Sequence, residues 1–156
     1  MTIYTDGACI GNPGPGGYGV LLLYDGHRKE LSGGFRRTTN NRMELMAAIA
    51  ALDGLKERCD VTLHSDSEYV VKGISLGWAR KWRAQGWKRS PTTIAANPDL
   101  GARLLRRCER HTVEFEWVRG HAGNVENERV DRLAMQAALR RDLPSDDGYE
   151  RGGVAG

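Results

Sequence analysis

The 156-residue chain is predicted to fold as one α/β domain, a mixed five-stranded sheet with helices on its faces. Three observations lead there. Residues from Thr2 to Phe35 alternate apolar runs with turn signals, the pattern of an antiparallel meander. After Asn41, helix-period segments alternate with two more strand-like runs, and strands joined through helices usually pair in parallel by right-handed crossovers. The length matches a soft prior of about 150 residues per domain and suffices for a real core without disulfides or metals.

The elements follow in order. Thr2 to Ala8 sets Ile3 and Thr5 against Tyr4 and Asp6 and reads as a strand. Gly11 to Gly17, with Pro13 and Pro15, reads as a turn, because proline lacks a donor and glycine is unrestrained. Tyr18 to Tyr24 is a second strand, Asp25-Gly26 a hairpin signal, and Lys29 to Phe35 the returning third strand. Asn41 to Leu55 places Leu45, Met46, Ile49, Leu52 and Leu55 at helical spacing among alanines that favour helix. Val61 to Ser65 is a strand, and short helices are expected over Ser67 to Ile74 and Trp78 to Gln85. Pro98 to His111 reads as a helix with Asn97 as cap and proline at its first position. Thr112 to Val118 is a strand with Val113, Phe115 and Trp117 on one side. Val125 to Arg140 is a helix with Val130, Leu133, Ala134 and Ala137 facing inward. Beyond Pro144 the chain is polar and Gly-rich with no apolar period, so the domain is expected over residues 1–143 and a mobile tail over 144–156.

Composition narrows the function classes. With 23 Lys+Arg against 20 Asp+Glu, the net charge of +3 is too small to identify a partner. The longest run without a polar residue, Leu45 to Leu52, is far short of the ~20 residues a membrane span needs. The N-terminus lacks the basic-then-apolar pattern of a signal peptide. Cys9, Cys59 and Cys108 are odd in number, widely spaced and without a CxxC, which argues against a disulfide scaffold or zinc site and for a reducing, cytoplasmic setting.

Four acids stand where a sheet could gather them. Asp6 lies on the first strand and Asp66 at the carboxyl end of the strand after the first helix. Glu44 lies near the start of that helix and Asp131 in the last one. Sites in open α/β sheets form at the carboxyl ends of strands, and clustered carboxylates are relieved by a hard divalent cation. Three of the four also have structural explanations. Glu44 follows Asn41 at capping-box spacing, Asp66 could cap the next helix, and Asp131 could be a solvated charge near Arg132. Asp6, inside an apolar strand, is harder to explain that way.

Several motifs occur together and in order: Thr5-Asp6-Gly7, Gly11 to Gly19, Thr38-Thr39-Asn40-Asn41-Arg42-Met43-Glu44-Leu45, Ser65-Asp66-Ser67, and Gly120-His121-Ala122-Gly123 followed by Asn127-Glu128 and Asp131. In these the chain resembles bacterial type 1 ribonuclease H from about Met1 to Leu139. The resemblance implies the ribonuclease H-like fold with strand order 3-2-1-4-5. It implies that Asp6, Glu44, Asp66 and Asp131 bind two Mg2+ ions, with Mn2+ as a substitute and Asp6 as the bridging ligand. The implied activity is hydrolysis of the RNA strand of an RNA–DNA hybrid, leaving 5′-phosphate and 3′-hydroxyl ends, by a monomer. His121, in a Gly-flanked loop, would serve as an accessory catalytic residue in proton transfer or product departure.

The same resemblance implies the hybrid contacts. Cys9, Asn12, Asn40 and Asn41 would line the minor-groove side and Thr39 would help bind a DNA-strand phosphate. From Tyr69 to Pro98 there are six basic residues and no acid, with Trp78, Trp82 and Trp87 among them. A one-sign run of this kind is an electrostatic footprint for a phosphate backbone, although the tryptophans alone read equally as a small aromatic core. It falls where the family has a basic protrusion, and Trp78, Trp82, Lys88 and Asn97 are the expected contacts. Two departures stand out: Ala84 and Gln85 replace basic residues, and Glu68 stands where an amide is usual. Weaker hybrid affinity and a shallower salt dependence are expected in consequence. Two alternatives stay open at this level: a non-catalytic hybrid-binding module, and another nuclease of the same broad fold.

Overall fold

The computed structural model describes residues 1–75, 84, 97–119 and 124–152. Five strands, β1 (Thr2–Cys9), β2 (Gly14–Tyr24), β3 (His27–Thr38), β4 (Asp60–Ser65) and β5 (Thr112–Trp117), form one sheet in the order β3-β2-β1-β4-β5. β1 pairs antiparallel with β2, and β2 with β3, while β4 runs parallel to both β1 and β5. The described helices are α1 (Asn40–Asp53), α2 (Glu68–Ser75), α3 (Pro98–Cys108), α4 (Val125–Ala138) and α5 (Asp147–Gly152). The fold class and strand order expected from the sequence are therefore found.

Local chemistry accounts for the joints. Tyr24 pairs with His27 across a two-residue loop in which Asp25 and Gly26 both have positive φ, 47° and 76°, the geometry that matches strand twist in a tight hairpin. The sheet continues further than the turn residues suggested. β2 begins at Gly14, inside the stretch read as a turn, and Pro15 sits at a bulge between Gly14 and Gly16. A bulge is where a strand tolerates proline, since one residue there is left out of the ladder. The carbonyl of Pro15 still accepts a hydrogen bond from Ile10 N at 2.8 Å.

Helix α1 is buried on nearly every side, from Met43 through Leu52, because the sheet lies on one flank and α2 and α3 on others. Its Leu45, Ile49 and Leu52 join Ile3, Val20 and Leu63 in the main core. Each such side chain contributes roughly 1.5–3 kcal/mol by leaving water. Helix α4 covers the opposite face over β1 and β2 with Val130, Leu133, Ala134 and Ala137 inward, as their spacing predicts.

Residues 144–152 do not behave as a loose tail: Asp146 is buried against Arg42, and α5 follows it. Trp117 is exposed although Phe115, on the same side of β5, packs in the core. The short helix expected over Trp78–Gln85 falls outside the described residues except for Ala84.

Candidate active site

The parallel register of β1 and β4 ends at Thr5 opposite Ser65. Asp6 is the next residue of β1, and Asp66 directly follows the end of β4. They leave neighbouring strands at the same level and in the same direction, which places the two carboxylates side by side. The structural explanation for Asp66 also falls away. Ser67 caps α2 instead, its hydroxyl accepting from Val70 N at 3.2 Å and its carbonyl from Val71 N at 3.1 Å.

Glu44 reaches the same point from α1. The cap of that helix is Thr39, whose hydroxyl accepts from Arg42 N at 3.3 Å. Asn41 is therefore inside the helix, and Glu44 lies too far along to complete a capping box. Two glycines let the helices come this close. A Cβ on Gly7 would collide with the backbone nitrogen of Glu44 and lie 2.5 Å from Met43 C. Gly19 pairs with Asp6 across β1 and β2, so it points to the same face as the Asp6 side chain. A Cβ there would collide with the Val130 carbonyl and come 2.7 Å from Leu133 Cβ, so α4 seats its backbone directly against Gly19, the cross-strand neighbour of Asp6. Asp131 follows Val130 on that helix.

Asp6, Glu44 and Asp66 each offer an oxygen such that all three lie within 4.8 Å of one another. Asp6 is 3% exposed and Glu44 6%. Burial, then the neighbouring charges of Glu44 and Asp66, and then hydrogen bonding to Asp131 and Asp66 push the Asp6 carboxyl far above the usual carboxylate range. Glu44 is pushed up likewise, by burial and then by Asp66, against a lowering backbone hydrogen bond from Gly7. Glu44 Oε1 is buried with no hydrogen-bond partner. An all-oxygen set, mutually repelling, with one orphaned buried oxygen, has the donor chemistry of a hard divalent cation site. Asp131 is exposed on α4 and does not join the three converging carboxylates, although hydrogen bonding from its side chain is among the smaller causes that raise Asp6.

The residues expected at the minor-groove side gather beside this cluster, on the turn after β1 and the start of α1. Asn12 Oδ1 accepts from Asn40 N at 2.9 Å, which joins the turn to the helix. Cys9 Sγ donates to Gly14 O at 3.5 Å or Thr38 O at 3.4 Å. Thr39 is the cap just described, and Asn40 and Asn41 are partly exposed on the first turn. Asn97, expected among the hybrid contacts, is buried. It is 0% exposed, it makes no side-chain cap bond, and its amide accepts from Arg42 Nη1 at 3.3 Å and donates to the Tyr69 hydroxyl at 2.8 Å. One acceptor and one donor position of this enclosed amide are engaged within the protein. Trp78, Trp82, Lys88 and His121 lie outside the described residues. Glu68, the unusual acid, forms an exposed ion pair with Lys72 at 3.1 Å.

Sequence reasoning missed two neighbours of the site. Trp117 Nε1 donates to the Asp66 carbonyl at 3.2 Å, and Val118 N to Ser65 O at 2.9 Å, so β5 braces the chain on either side of the Asp66 peptide. Asp146 lies behind α1, 104 residues from the arginine it pairs with. No local pattern signals a partner at that separation.

Comparison with known proteins gives one consistent family. The family model described as RNase H matches residues 1–139. A ribonuclease H from Syntrophus aciditrophicus (strain SB) is 64% identical over 149 residues, covering 96% of this chain and 86% of that one. Among solved structures, LC9-RNase H1, described as a type 1 RNase H with the type 2 active-site motif, superposes with a TM-score of 0.76 at 36% identity, covering 97% of this chain and 79% of that one. LC11-RNase H1, solved in complex with RNA/DNA hybrid, superposes with a TM-score of 0.63 at 28% identity, covering 88% of this chain and 95% of that one.

Proposed function

The chain belongs to the ribonuclease H family, and from that premise we propose that it is an endonuclease hydrolysing the RNA strand of RNA–DNA hybrids with two divalent ions, leaving 5′-phosphate and 3′-hydroxyl ends. The observation that carries the reading is the convergence of Asp6, Glu44 and Asp66 to within 4.8 Å, with a buried, unpartnered oxygen on Glu44. The all-oxygen set suits Mg2+, with Mn2+ as a substitute.

Each residue has a role in this reading. Asp6, on the central strand and within reach of both Glu44 and Asp66, would be the ligand shared by the ions. Glu44 and Asp66 would help hold the ions, and Asp131, exposed on α4, would be the most loosely held ligand. When bound, such a pair of ions activates the attacking water and neutralises the departing 3′-oxygen. Asn12, Asn40 and Asn41 present amides beside the site, suited to the 2′-hydroxyls that distinguish RNA from DNA. Cys9 lies against the same turn, and Thr39 would take a DNA-strand phosphate. Trp78, Trp82 and Lys88, in the basic stretch of the sequence, would grip the DNA strand, and His121 would assist proton transfer or product departure. All four carboxylates come from one chain, so the enzyme is read as a monomer, at work in the cytoplasm.

Labelled RNA–DNA hybrid, duplex DNA and single-stranded RNA, each incubated with Mg2+ and with excess chelator, test this. Cleavage confined to the RNA of the hybrid and abolished by chelator is expected. Undiminished cleavage in chelator, or hybrid binding without cleavage, would reject it, the second outcome in favour of a binding module.

A further inference from the structure

The chain carries a second polar cluster, centred on the buried side chain of Arg42, on the same helix as Glu44. Arg42 lies two residues before Glu44 on α1 and is 0% exposed. Every guanidinium nitrogen is engaged. Nε and Nη2 donate to Asp146 at 2.7 and 2.9 Å, while Nη1 and Nη2 donate to Asp99 at 2.9 and 2.6 Å. Two carboxylates thus grip one planar fork at once, the arrangement for which arginine is suited and lysine is not. Nη1 also reaches Asn97, whose amide extends the cluster to Tyr69 on α2.

Asp146 is tied in from the other direction as well. It accepts from the Thr38 hydroxyl at 2.6 Å, at the end of β3. The segment around it is fastened to β3 by Arg36 N donating to Pro144 O at 2.9 Å and by Arg36 forking onto Glu150 at 3.1 and 3.0 Å. Gly148 has no room for a side chain, since a Cβ would lie 2.6 Å from Arg42 Nη2.

We propose that Asp146 is a positioning residue for the active site, acting through Arg42 to fix the rotation and seating of the first turns of α1. At ~100° per residue, Arg42 and Glu44 project from the helix about 200° apart. Holding Arg42 on one side therefore sets where Glu44 points on the other, toward Asp6. Arg42 is pinned twice, by its backbone N–H to the Thr39 cap and by its side chain to the two carboxylates. A buried ion pair returns little net stability after desolvation, but its fixed geometry excludes alternative placements of the helix. The consequence is that residues 144–152 are part of the catalytic apparatus. This rests on the proposed role of Glu44 as a metal ligand.

The test uses the full chain with Asp146→Asn, which keeps volume and removes charge, and Gly148→Ala, which displaces the segment while keeping every charge. Amide exchange is followed in α1 and β4, Mg2+ affinity is measured by calorimetry without substrate, and hybrid cleavage is measured across a Mg2+ titration. Exchange at the amides of Met43 to Leu45 should rise roughly 10-fold while β4 stays protected. Mg2+ binding should weaken by roughly 10-fold, as when partners of metal ligands are lost, and excess Mg2+ should restore most of kcat. Exchange rising equally in α1 and β4 with unchanged Mg2+ affinity would overturn the proposal and leave Asp146 a stabilising residue only. If Asp146→Asn fails to fold, Gly148→Ala decides by the same readouts. A parent protein that neither binds Mg2+ nor cleaves hybrid would reject the metal-site reading, while the exchange result would still report whether Asp146 holds α1.

Discussion

Gly7 on β1 lies against the backbone nitrogen of Glu44 on α1, with no space between them for a methyl group. The closest pass of α1 over the sheet is therefore also the point at which an acid is delivered to the site. Gly7→Ala should push the helix outward, lowering stability by about 1–3 kcal/mol, as overpacking typically does. Mg2+ affinity should fall by more than the stability loss explains, because the shift moves Glu44 away from Asp6. Thermal melts and calorimetry on the same preparation would separate the two effects.

Asp6→Asn should abolish Mg2+-dependent cleavage and at the same time raise the melting temperature of the metal-free protein. The Asp6 carboxyl is raised in the folded state by burial and by Glu44 and Asp66. A raised carboxyl contributes stability below the usual carboxylate pKa of about 4, and loses it as pH rises toward the folded-state value. At neutral pH an amide, which carries no charge to desolvate, should be better tolerated by about 1–3 kcal/mol. Chemical denaturation in chelator, at pH 5 and pH 8, would check the sign: the gain over wild type should be larger at pH 8.

Loading the site should release protons. Asp6 and Glu44 both sit above their ordinary range in the metal-free state, and ligating carboxylates must be deprotonated. Apparent Mg2+ affinity should therefore increase with pH through neutrality. Calorimetry in two buffers of different ionisation enthalpy should show a heat difference proportional to the protons released. Identical heats in both buffers would mean that the cluster is already fully ionised.

Ala84 is exposed where the family protrusion is basic. Ala84→Lys should tighten hybrid binding at low salt and steepen the plot of log affinity against log salt by about 0.7–0.9, the effect of one more neutralised phosphate. Binding titrations at several salt concentrations would measure it, and an unchanged slope would remove this position from the hybrid path.

The cap positions mark where local reading stops. Asn41, Asp66 and Asn97 were each plausible caps by residue type and spacing. The helices use Thr39 and Ser67 at the first two, while Asn97 does hold the cap position of α3, its carbonyl accepting from Gly101 N, but turns its amide into the Arg42 cluster. Cap preference is a difference of about 1 kcal/mol among several eligible neighbours, so packing decides which of them is chosen. Pro15 is similar. Its missing donor argued for a turn, and the sheet accommodated it with a bulge that no local pattern announces.

The amino-acid sequence determined the alternation of strands and helices, the inward face of α4, the hairpin at Asp25-Gly26 and the identity of the acids, because each is written in residues a few positions apart. Only the tertiary structure decided that Asp6 and Asp66 stand level on neighbouring strands, that Gly7 and Gly19 let two helices close on them, and that Asp146 locks Arg42 from 104 residues away. The reason is physical. Periodicity and turn chemistry act over one or two turns of chain, whereas register and buried ion pairing depend on where the whole chain is forced to run once its apolar faces are covered.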